Sequence, residues 1–361
     1  MSAPRVVIAD DSAFMRRLIS DVLSRAGMDV VATVANGREA IEACRTHEPD
    51  VLSLDLAMPE VDGIQVLRSL RSMENLRIVV VSSFSEADGV RAVDALAEGA
   101  FDLVPKQAAT GKLQDFLDDL LVKIEAANFE RKRRPREASI GPMFAKPGSP
   151  APPSPESVKP TSKQRVARAR SEAAGGRRLI VIAASTGGPR ALTIVMTDLP
   201  AGIGQGALIV QHMPSGFTKS LAERLDAYSG MSVCEAESGA KVARGQAFVA
   251  PGGRHMHVSG HKIKLTDEPP ISGLRPCADV TIADAVVEFG GNIVLAVLTG
   301  MGRDASAGAR QVREAGGIVL AEAAETTTVN GMPKAVIDAG LADDVLPIHE
   351  IGAALREAAG G

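Results

Sequence analysis

The sequence predicts an α/β protein made of two doubly wound parallel sheets joined by a flexible linker. Short apolar runs that read as fully buried strands alternate with helical segments, first from Arg5 to about residue 125 and again from Leu179 onward. Between them, residues 126–176 lose apolar periodicity and fill with proline and basic residues. In both halves the chemistry-bearing side chains stand at the carboxyl ends of strands, where open α/β sheets bind ligands.

A chain of 361 residues has length for two cores, and 45% hydrophobic with 23% charged content is ordinary for a globular protein. A net charge of -4 with one Tyr and no Trp gives neither an electrostatic nor a stacking reason to expect nucleic acid. Cys44, Cys234 and Cys277 are odd in number and far apart, which is no disulfide framework or zinc ribbon and fits a reducing cytoplasm. Asp10 and Asp11 come too soon after the N-terminus for a signal peptide. No apolar run approaches the roughly 18 residues a membrane span needs.

The first unit opens with a strand over Arg5–Ala9 that ends at Asp10-Asp11-Ser12. Asp11 or Ser12 then caps a helix whose apolar face carries Phe14, Leu18, Ile19, Val22 and Leu23, stopped by Gly27. Further strands are expected at Asp29–Ala35, Val51–Leu54, Arg77–Val81 and Phe101–Val104, with helices at Gly37–His47, Glu86–Glu98 and from about Lys112. These are five βα units. Asp10, Asp11 and Asp55 would converge at neighbouring strand ends, and three crowded carboxylates repel unless a hard cation such as Mg²⁺ neutralises them. One carboxylate can then take a phosphoryl group while the cation and Lys106 neutralise its oxygens. Any one of these Asp residues alone reads better as a loop or helix cap. An acid pair, a single acid, a hydroxyl and a Lys at the ends of strands one, three, four and five are far more specific.

Residues 1–125 resemble a two-component receiver domain, with Asp55-Leu56-Ala57-Met58-Pro59-Glu60-Val61-Asp62-Gly63 matching the phosphoacceptor strand and loop. The resemblance implies a flavodoxin-like fold and phosphorylation of Asp55 by a sensor histidine kinase. It also implies Mg²⁺ held by Asp11, Asp55 and the Ala57 carbonyl with help from Asp10, a switch hydroxyl at Ser82 and the paired lysine at Lys106. Two positions depart from the pattern: Leu103 stands where an aromatic switch residue is usual, and Gln107 comes after the lysine in place of a proline. A cis bond without proline costs about 3 kcal/mol, so Lys106-Gln107 is expected to be trans or to sit in a strained loop.

Arg131–Arg136 reads Arg-Lys-Arg-Arg-Pro-Arg, and prolines crowd the stretch from Pro142 to Pro160. Such sequence cannot bury enough surface to offset its ordering entropy. Residues 126–176 are therefore expected to be a linker, poorly ordered from Asn128 to Gly176 apart from helix near either end, as at Lys163–Ala173.

The second unit, residues 177–361, opens on Leu179–Pro189, an apolar run leading to Ser185-Thr186-Gly187-Gly188-Pro189. Ser185 at this strand end is a nucleophile, a helix cap or part of a phosphate turn on this stretch alone. The strand Ala207–Val210 delivers His212, and the strand Ile293–Leu298 delivers Asp304 after Thr299-Gly300-Met301-Gly302-Arg303. Helices are expected at Pro189–Leu199, Phe217–Tyr228, Ala278–Phe289 and Ala305–Ala315, with strands at Val233–Glu235, Ala247–Ala250, Lys262–Leu265 and Ile318–Ala321. Singly, His212 reads as a hydrogen-bonded strand-end histidine and Asp304 as a helix cap. A hydroxyl, an imidazole and a carboxylate on the same edge of one sheet favour a triad in which His212 takes the Ser185 proton and Asp304 orients the imidazole. Gly300 and Gly302 flank Met301 in a turn whose amides are placed to face an oxyanion.

Residues 177–361 resemble the catalytic domain of the chemotaxis protein-glutamate methylesterases. The matches are Ala184–Pro189, Gln211-His212-Met213-Pro214, Ala250-Pro251-Gly252, Arg275-Pro276 with Asp279-Val280, Leu298–Gly302 with Asp304, and Gly331-Met332-Pro333. The resemblance implies a Rossmann-like three-layer α/β domain with Ser185 as nucleophile, His212 as base and Asp304 as orienter. Met301 supplies the oxyanion amide, and the Thr186 hydroxyl is expected to help position the histidine. The implied reaction is hydrolysis of glutamyl methyl esters on the cytoplasmic helices of methyl-accepting chemoreceptors. Glutamine deamidation is a second family activity, no cofactor is needed for the esterase step, and receiver phosphorylation relieves occlusion of the site. Leu274, Cys277 and Glu322-Ala323-Ala324-Glu325 depart from the family pattern and are expected to border the substrate groove, with Gly187 and Gly188 leaving room for a polypeptide. A thiol site at Cys277 with His255 or His257, and a metal site at His255-x-His257, lack further ligands or partners. The rival from another class is a receiver-regulated adaptor that binds receptors or anions at the Ser-Thr-Gly-Gly turn.

Overall fold

A computed structural model describes residues 3–83, 85–106, 113–133 and 176–360. The first half is one five-stranded sheet of order β2-β1-β3-β4-β5, built from β1 (Arg5–Ala9), β2 (Asp29–Val34), β3 (Val51–Asp55), β4 (Arg77–Ser82) and β5 (Asp102–Pro105). Every pairing is parallel. Helices α1 (Ala13–Arg25), α2 (Gly37–His47), α3 (Gly63–Ser69), α4 (Glu86–Ala97) and α5 (Leu113–Arg133) cover its two faces. The pleat decides which core each strand residue joins. Val6 and Ile8 pack with Ile19, Leu23, Phe116 and Ile124, whereas Val7 and Ala9 pack with Ala40, Val66 and Ala92.

Two local expectations change. Phe14 is 67% exposed, because it lies nine residues, half a turn of phase, from buried Leu23; the stripe that packs runs instead through Met15, Ile19 and Leu23. Helix α5 continues to Arg133, with Asn128 and Glu130 buried, so the first residues assigned to the linker are helical. Gln107, the Lys163–Ala173 helix and the remainder of the linker lie outside the described residues.

The second half is a seven-stranded parallel sheet of order β14-β13-β12-β6-β7-β9-β8. Its strands are β6 (Leu179–Ala184), β7 (Ala207–Gln211), β8 (Ser232–Glu235), β9 (Gln246–Val249), β12 (Ile293–Val297), β13 (Ile318–Glu322) and β14 (Asp344–Leu346). β10 (His255–Ser259) and β11 (Lys262–Thr266) form a separate antiparallel hairpin. Helices α6 (Gly188–Thr197), α7 (Thr218–Tyr228), α8 (Ala278–Phe289), α9 (Ser306–Glu314), α10 (Met332–Asp338) and α11 (Ile348–Ala359) complete the layers. Strand β6 comes first in this unit yet lies between β12 and β7, so the chain reverses direction across the sheet at its end, which is the switch point where such folds bind ligands.

The two halves pack on each other. Helix α4 lies against α6 and α7, and one apolar cluster runs from Ala92, Val93 and Leu96 into Met213, Phe217 and Leu221. A Cβ at Gly89 would come within 3.1 Å of the Gly216 carbonyl and the Ser220 hydroxyl. Arg224 on α7 pairs with Asp94 on α4. Among the described residues no helix is long and apolar enough to cross a membrane.

Candidate active site

Ser185 comes directly after β6, and its backbone is pinned by its N–H to the Thr299 carbonyl (3.0 Å) and by its own carbonyl, which accepts from Gly188 (2.8 Å). The next turn is close-packed. Gly187 has φ 81° and a Cβ there would collide with Thr328, while one at Gly188 would collide with Gln211. The space expected for substrate beside these glycines is therefore filled by the protein itself. Gly187 is the N-cap of α6 with no side-chain cap, so Ser185 is not the capping residue.

His212 comes directly after β7, and its Nε2 lies 2.7 Å from Asp304 Oδ2. Nδ1 is therefore the ring nitrogen left to serve Ser185, and both residues line one cavity. Among the described residues the Ser185 hydroxyl makes no hydrogen bond to His212, a looseness common before substrate binds. Asp304 does not cap the helix after it. Its Oδ1 accepts from the backbone of Asp279 (2.9 Å) and Ala305 (2.9 Å) and from the Cys277 thiol (3.3 Å), and its Oδ2 accepts from Ala278 N (2.6 Å). The carboxylate thus sits on the N-terminus of α8, where exposed N–H groups and the helix dipole favour negative charge. Burial alone would raise its pKa, but the bond and charge of His212 and the Ala278 and Asp279 amides hold it well below the usual carboxylate range.

Asp279 answers from the other side, accepting from Gly308 N in the first turn of α9 (2.7 Å). Burial first, and then the neighbouring Asp304 charge, push its carboxyl up to about 6, against the Gly308 bond. A carboxyl raised on folding stabilises at low pH and loses that contribution as pH rises through its folded value. Asp304, held down, contributes above the unfolded value and loses its contribution as pH falls. Asp279→Asn keeps an acceptor for Gly308, so it is expected to raise Tm above about pH 7 and leave it nearly unchanged below about pH 4, the usual value of an unfolded carboxyl. Thermal melts across that range check this, and an equal shift at both ends contradicts it.

Gly300 packs on Ser185, since a Cβ there would lie 2.6 Å from Ser185 Cβ, so the Met301 turn adjoins Ser185. Met301, partly buried, packs against the apolar cluster of α1 and α5. Thr186 differs from expectation: its hydroxyl donates to Asp102 Oδ2 on β5 (2.5 Å) and not to His212. Glu322 also differs, being 1% exposed and accepting from Thr299 N (2.8 Å) and Thr326 Oγ1 (3.0 Å), so it is interior scaffold and not groove. Cys277 is buried on Asp304, and burial with that charge pushes its thiol up to about 12, unsuited to nucleophilic work. His257 bonds Asp284 on α8 (2.7 Å) and Thr266 on the hairpin (3.1 Å).

The cavity at Ser185 and His212 has a roof from the other half of the chain: Leu96, Asp102, Leu103 and Lys123. About 20 Å³ remains, room for one water and not for a glutamyl ester. Leu103, at the position of the missing aromatic, is buried at this roof. Lys123 donates to the Leu103 carbonyl and lies 3.6 Å from Asp102.

The first sheet gathers its own cluster. Ligand oxygens of Asp10, Asp11 and Asp55 all lie within 4.8 Å of one another, and Lys106 Nζ lies 2.7 Å from Asp55 and 3.0 Å from Asp10. Burial pushes the Asp55 carboxyl up, opposed by the Lys106 bond and charge and by the Ala57 N–H. One lysine against three carboxylates leaves an uncompensated negative charge in an all-oxygen donor set, which fits a hard divalent cation. Ser82 is buried at the end of β4, and among the described residues its hydroxyl has only long contacts to the Ser83 and Asp88 carbonyls (3.4 and 3.5 Å).

Comparison with known proteins agrees with both halves. The family model described as CheB methylesterase matches residues 180–355, and that described as response regulator receiver domain matches residues 6–118. The chain is 40% identical over 366 residues to a protein-glutamate methylesterase/protein-glutamine glutaminase of Symbiobacterium thermophilum, covering 99% of this chain and 97% of that protein. A protein of the same name from Clostridium acetobutylicum is 38% identical over 97% of this chain and 96% of its own length. Among solved structures, the CheB methylesterase catalytic domain of Thermotoga maritima is 42% identical, with a TM-score of 0.49, covering 50% of this chain and 98% of that one.

Proposed function

The chain belongs to the CheB methylesterase family, as a protein-glutamate methylesterase/protein-glutamine glutaminase carrying a response regulator receiver domain, and from that premise we propose how its residues divide the work. Ser185 Oγ attacks the carbonyl carbon of a glutamyl methyl ester while His212 Nδ1 takes its proton. The Met301 amide and its turn face the oxyanion. The imidazolium, stabilised by Asp304, returns the proton to the departing methoxide, which leaves as methanol. Water, deprotonated by His212, then splits the acyl-enzyme and restores both Ser185 and a free glutamate. A primary amide enters the same path with ammonia as leaving group. The substrates are methylated glutamates on chemoreceptor helices, and the enzyme works in the cytoplasm.

The observation that carries the reading is the buried His212–Asp304 pair beside Ser185 under a roof of receiver residues. A roof that leaves room for one water supports a closed form that opens on phosphorylation. Phosphorylation of Asp55 by a sensor histidine kinase supplies the charge that redirects Lys106 and Ser82. Asp10, Asp11, Asp55 and the Ala57 carbonyl would hold Mg²⁺, which would neutralise the phosphoryl oxygens. The adaptor reading makes no use of the imidazole–carboxylate pair.

Release of methanol from a methylated receptor, measured with and without acetyl phosphate and Mg²⁺, tests the whole scheme; a rate that does not respond to the phosphodonor refutes the regulation. Docking is tested separately at Asp94, which pairs with Arg224 across the two halves. Asp94→Ala is expected to raise phosphodonor-free activity by up to about 5-fold, since a half-exposed charge pair contributes up to about 1 kcal/mol. The phosphorylated rate should stay as it is. Unchanged basal activity would show that the pair does not hold the closed form.

A further inference from the structure

Gln211, the last residue of β7, has its side chain 2% exposed, inside the sheet edge between the two strand ends that deliver Ser185 and His212. Its amide nitrogen donates to the Ser185 carbonyl (2.9 Å) and to the His212 carbonyl (3.0 Å). Both acceptors are carbonyls, so the NH₂ end must face them. The other end, Oε1, is buried and has no hydrogen-bond partner among the described residues. It abuts Gly188, where any side chain would collide with it.

We propose that Gln211 is a positioning residue that sets the separation of nucleophile and base, by tying the backbone of Ser185 to that of His212 through one amide group. The inference rests on the assignment of Ser185 and His212 above. Three features support it. A buried unpaired carbonyl oxygen is unfavourable, so a residue retained for stability alone would be better replaced by an apolar side chain of the same length. The two donated bonds join the ends of neighbouring strands at the one place where both reacting side chains leave the sheet. The glycine at 188 leaves the space that the amide occupies, which ties the Gly-Gly turn to Gln211. The Ser185 carbonyl also accepts from Gly188, so removing the amide loosens the link to His212 without orphaning that oxygen.

The test uses the full chain activated with acetyl phosphate and Mg²⁺, with Gln211→Met, which fills the same space and carries no donor, and Gln211→Glu, which keeps the shape and replaces the NH₂ by oxygen. Rates are expressed per active site titrated with a fluorophosphonate, so that unfolded protein is not counted. Both variants are expected to lose about 10- to 100-fold in kcat with KM nearly unchanged, the scale of a misaligned nucleophile. Fluorophosphonate labelling of Ser185 should slow in step, and Gln211→Met should melt no lower than the parent. A merely structural role would lower Tm and leave kcat per titrated site intact, and that result overturns the inference. Ser185→Ala is run alongside. Activity in Gln211→Met beside an inactive Ser185→Ala overturns the role of Gln211 alone, whereas an active Ser185→Ala overturns the nucleophile assignment on which it rests.

Discussion

Ser185→Ala is expected to abolish methanol release from a methylated receptor while leaving the fold and Tm in place. The substitution removes only Oγ. The Cβ that packs against Gly300 remains, as do the backbone bonds to Thr299, Gly188 and Gln211. His212 and Asp304 would stay paired, but with no hydroxyl to deprotonate the acyl-enzyme path is closed. Loss of one member of such a unit lowers kcat by about 10⁴- to 10⁶-fold, because the remaining groups then contribute mainly binding and oxyanion stabilisation. The measurement is release of labelled methanol by wild type and variant at equal concentration, with receptor binding monitored in parallel. Release by wild type, with retained binding but no release by the variant, excludes the adaptor reading, because an adaptor has no product to lose. Equal release by both proteins would remove Ser185 from the mechanism.

Asp55→Ala is expected to eliminate the response to acetyl phosphate and Mg²⁺, holding activity at the unphosphorylated level. Lys106 keeps Asp10 as a partner at 3.0 Å, so the variant does not strand a buried ammonium and should fold. The physical route from phosphorylation to the site is short. Lys106 comes immediately after β5, and β5 carries Asp102, which accepts the Thr186 hydroxyl, and Leu103, which roofs the cavity over Ser185. Under the proposed scheme a phosphoryl group on Asp55 would draw Lys106 and the weakly bonded Ser82 hydroxyl, and any shift of β5 would bear on the Asp102–Thr186 contact. Leu103 cannot act as an aromatic rotamer switch, so the scheme assigns the relay to the strand itself. Methanol release with a phosphodonor titration checks this; an undiminished rise in Asp55→Ala would refute it.

Much of the candidate site was legible in the sequence because its residues stand at strand ends. Leu179–Ala184, Ala207–Gln211 and Ile293–Val297 are continuous apolar runs, and a fully buried strand in a parallel sheet has no polar alternation to confuse the reading. Residues just beyond such a run lie at the carboxyl edge by geometry alone. That was enough to bring Ser185, His212 and Asp304 onto one edge, and Asp10, Asp55 and Lys106 onto another. The elements missed were α3, α10, α11, β10 and β14. Four are short, and β10 alternates histidine with apolar residues, so each of these offers too few periods for its pattern to rise above the background, whereas α11, with 12 residues, is long enough to show its period.

The sequence by itself thus determined the two parallel sheets, the order of their strands' chemistry and the residue types at each edge, since these come from local hydrophobic pattern and the pleat. Only the tertiary structure decided which atoms meet. That His212 turns Nε2 to Asp304, that Asp304 caps α8 and not α9, that Gln211 bridges two strand ends, and that Thr186 bonds Asp102 across 84 residues all depend on how helices and halves pack. Such contacts have no local signature, because they are set by the close packing of surfaces distant in the chain.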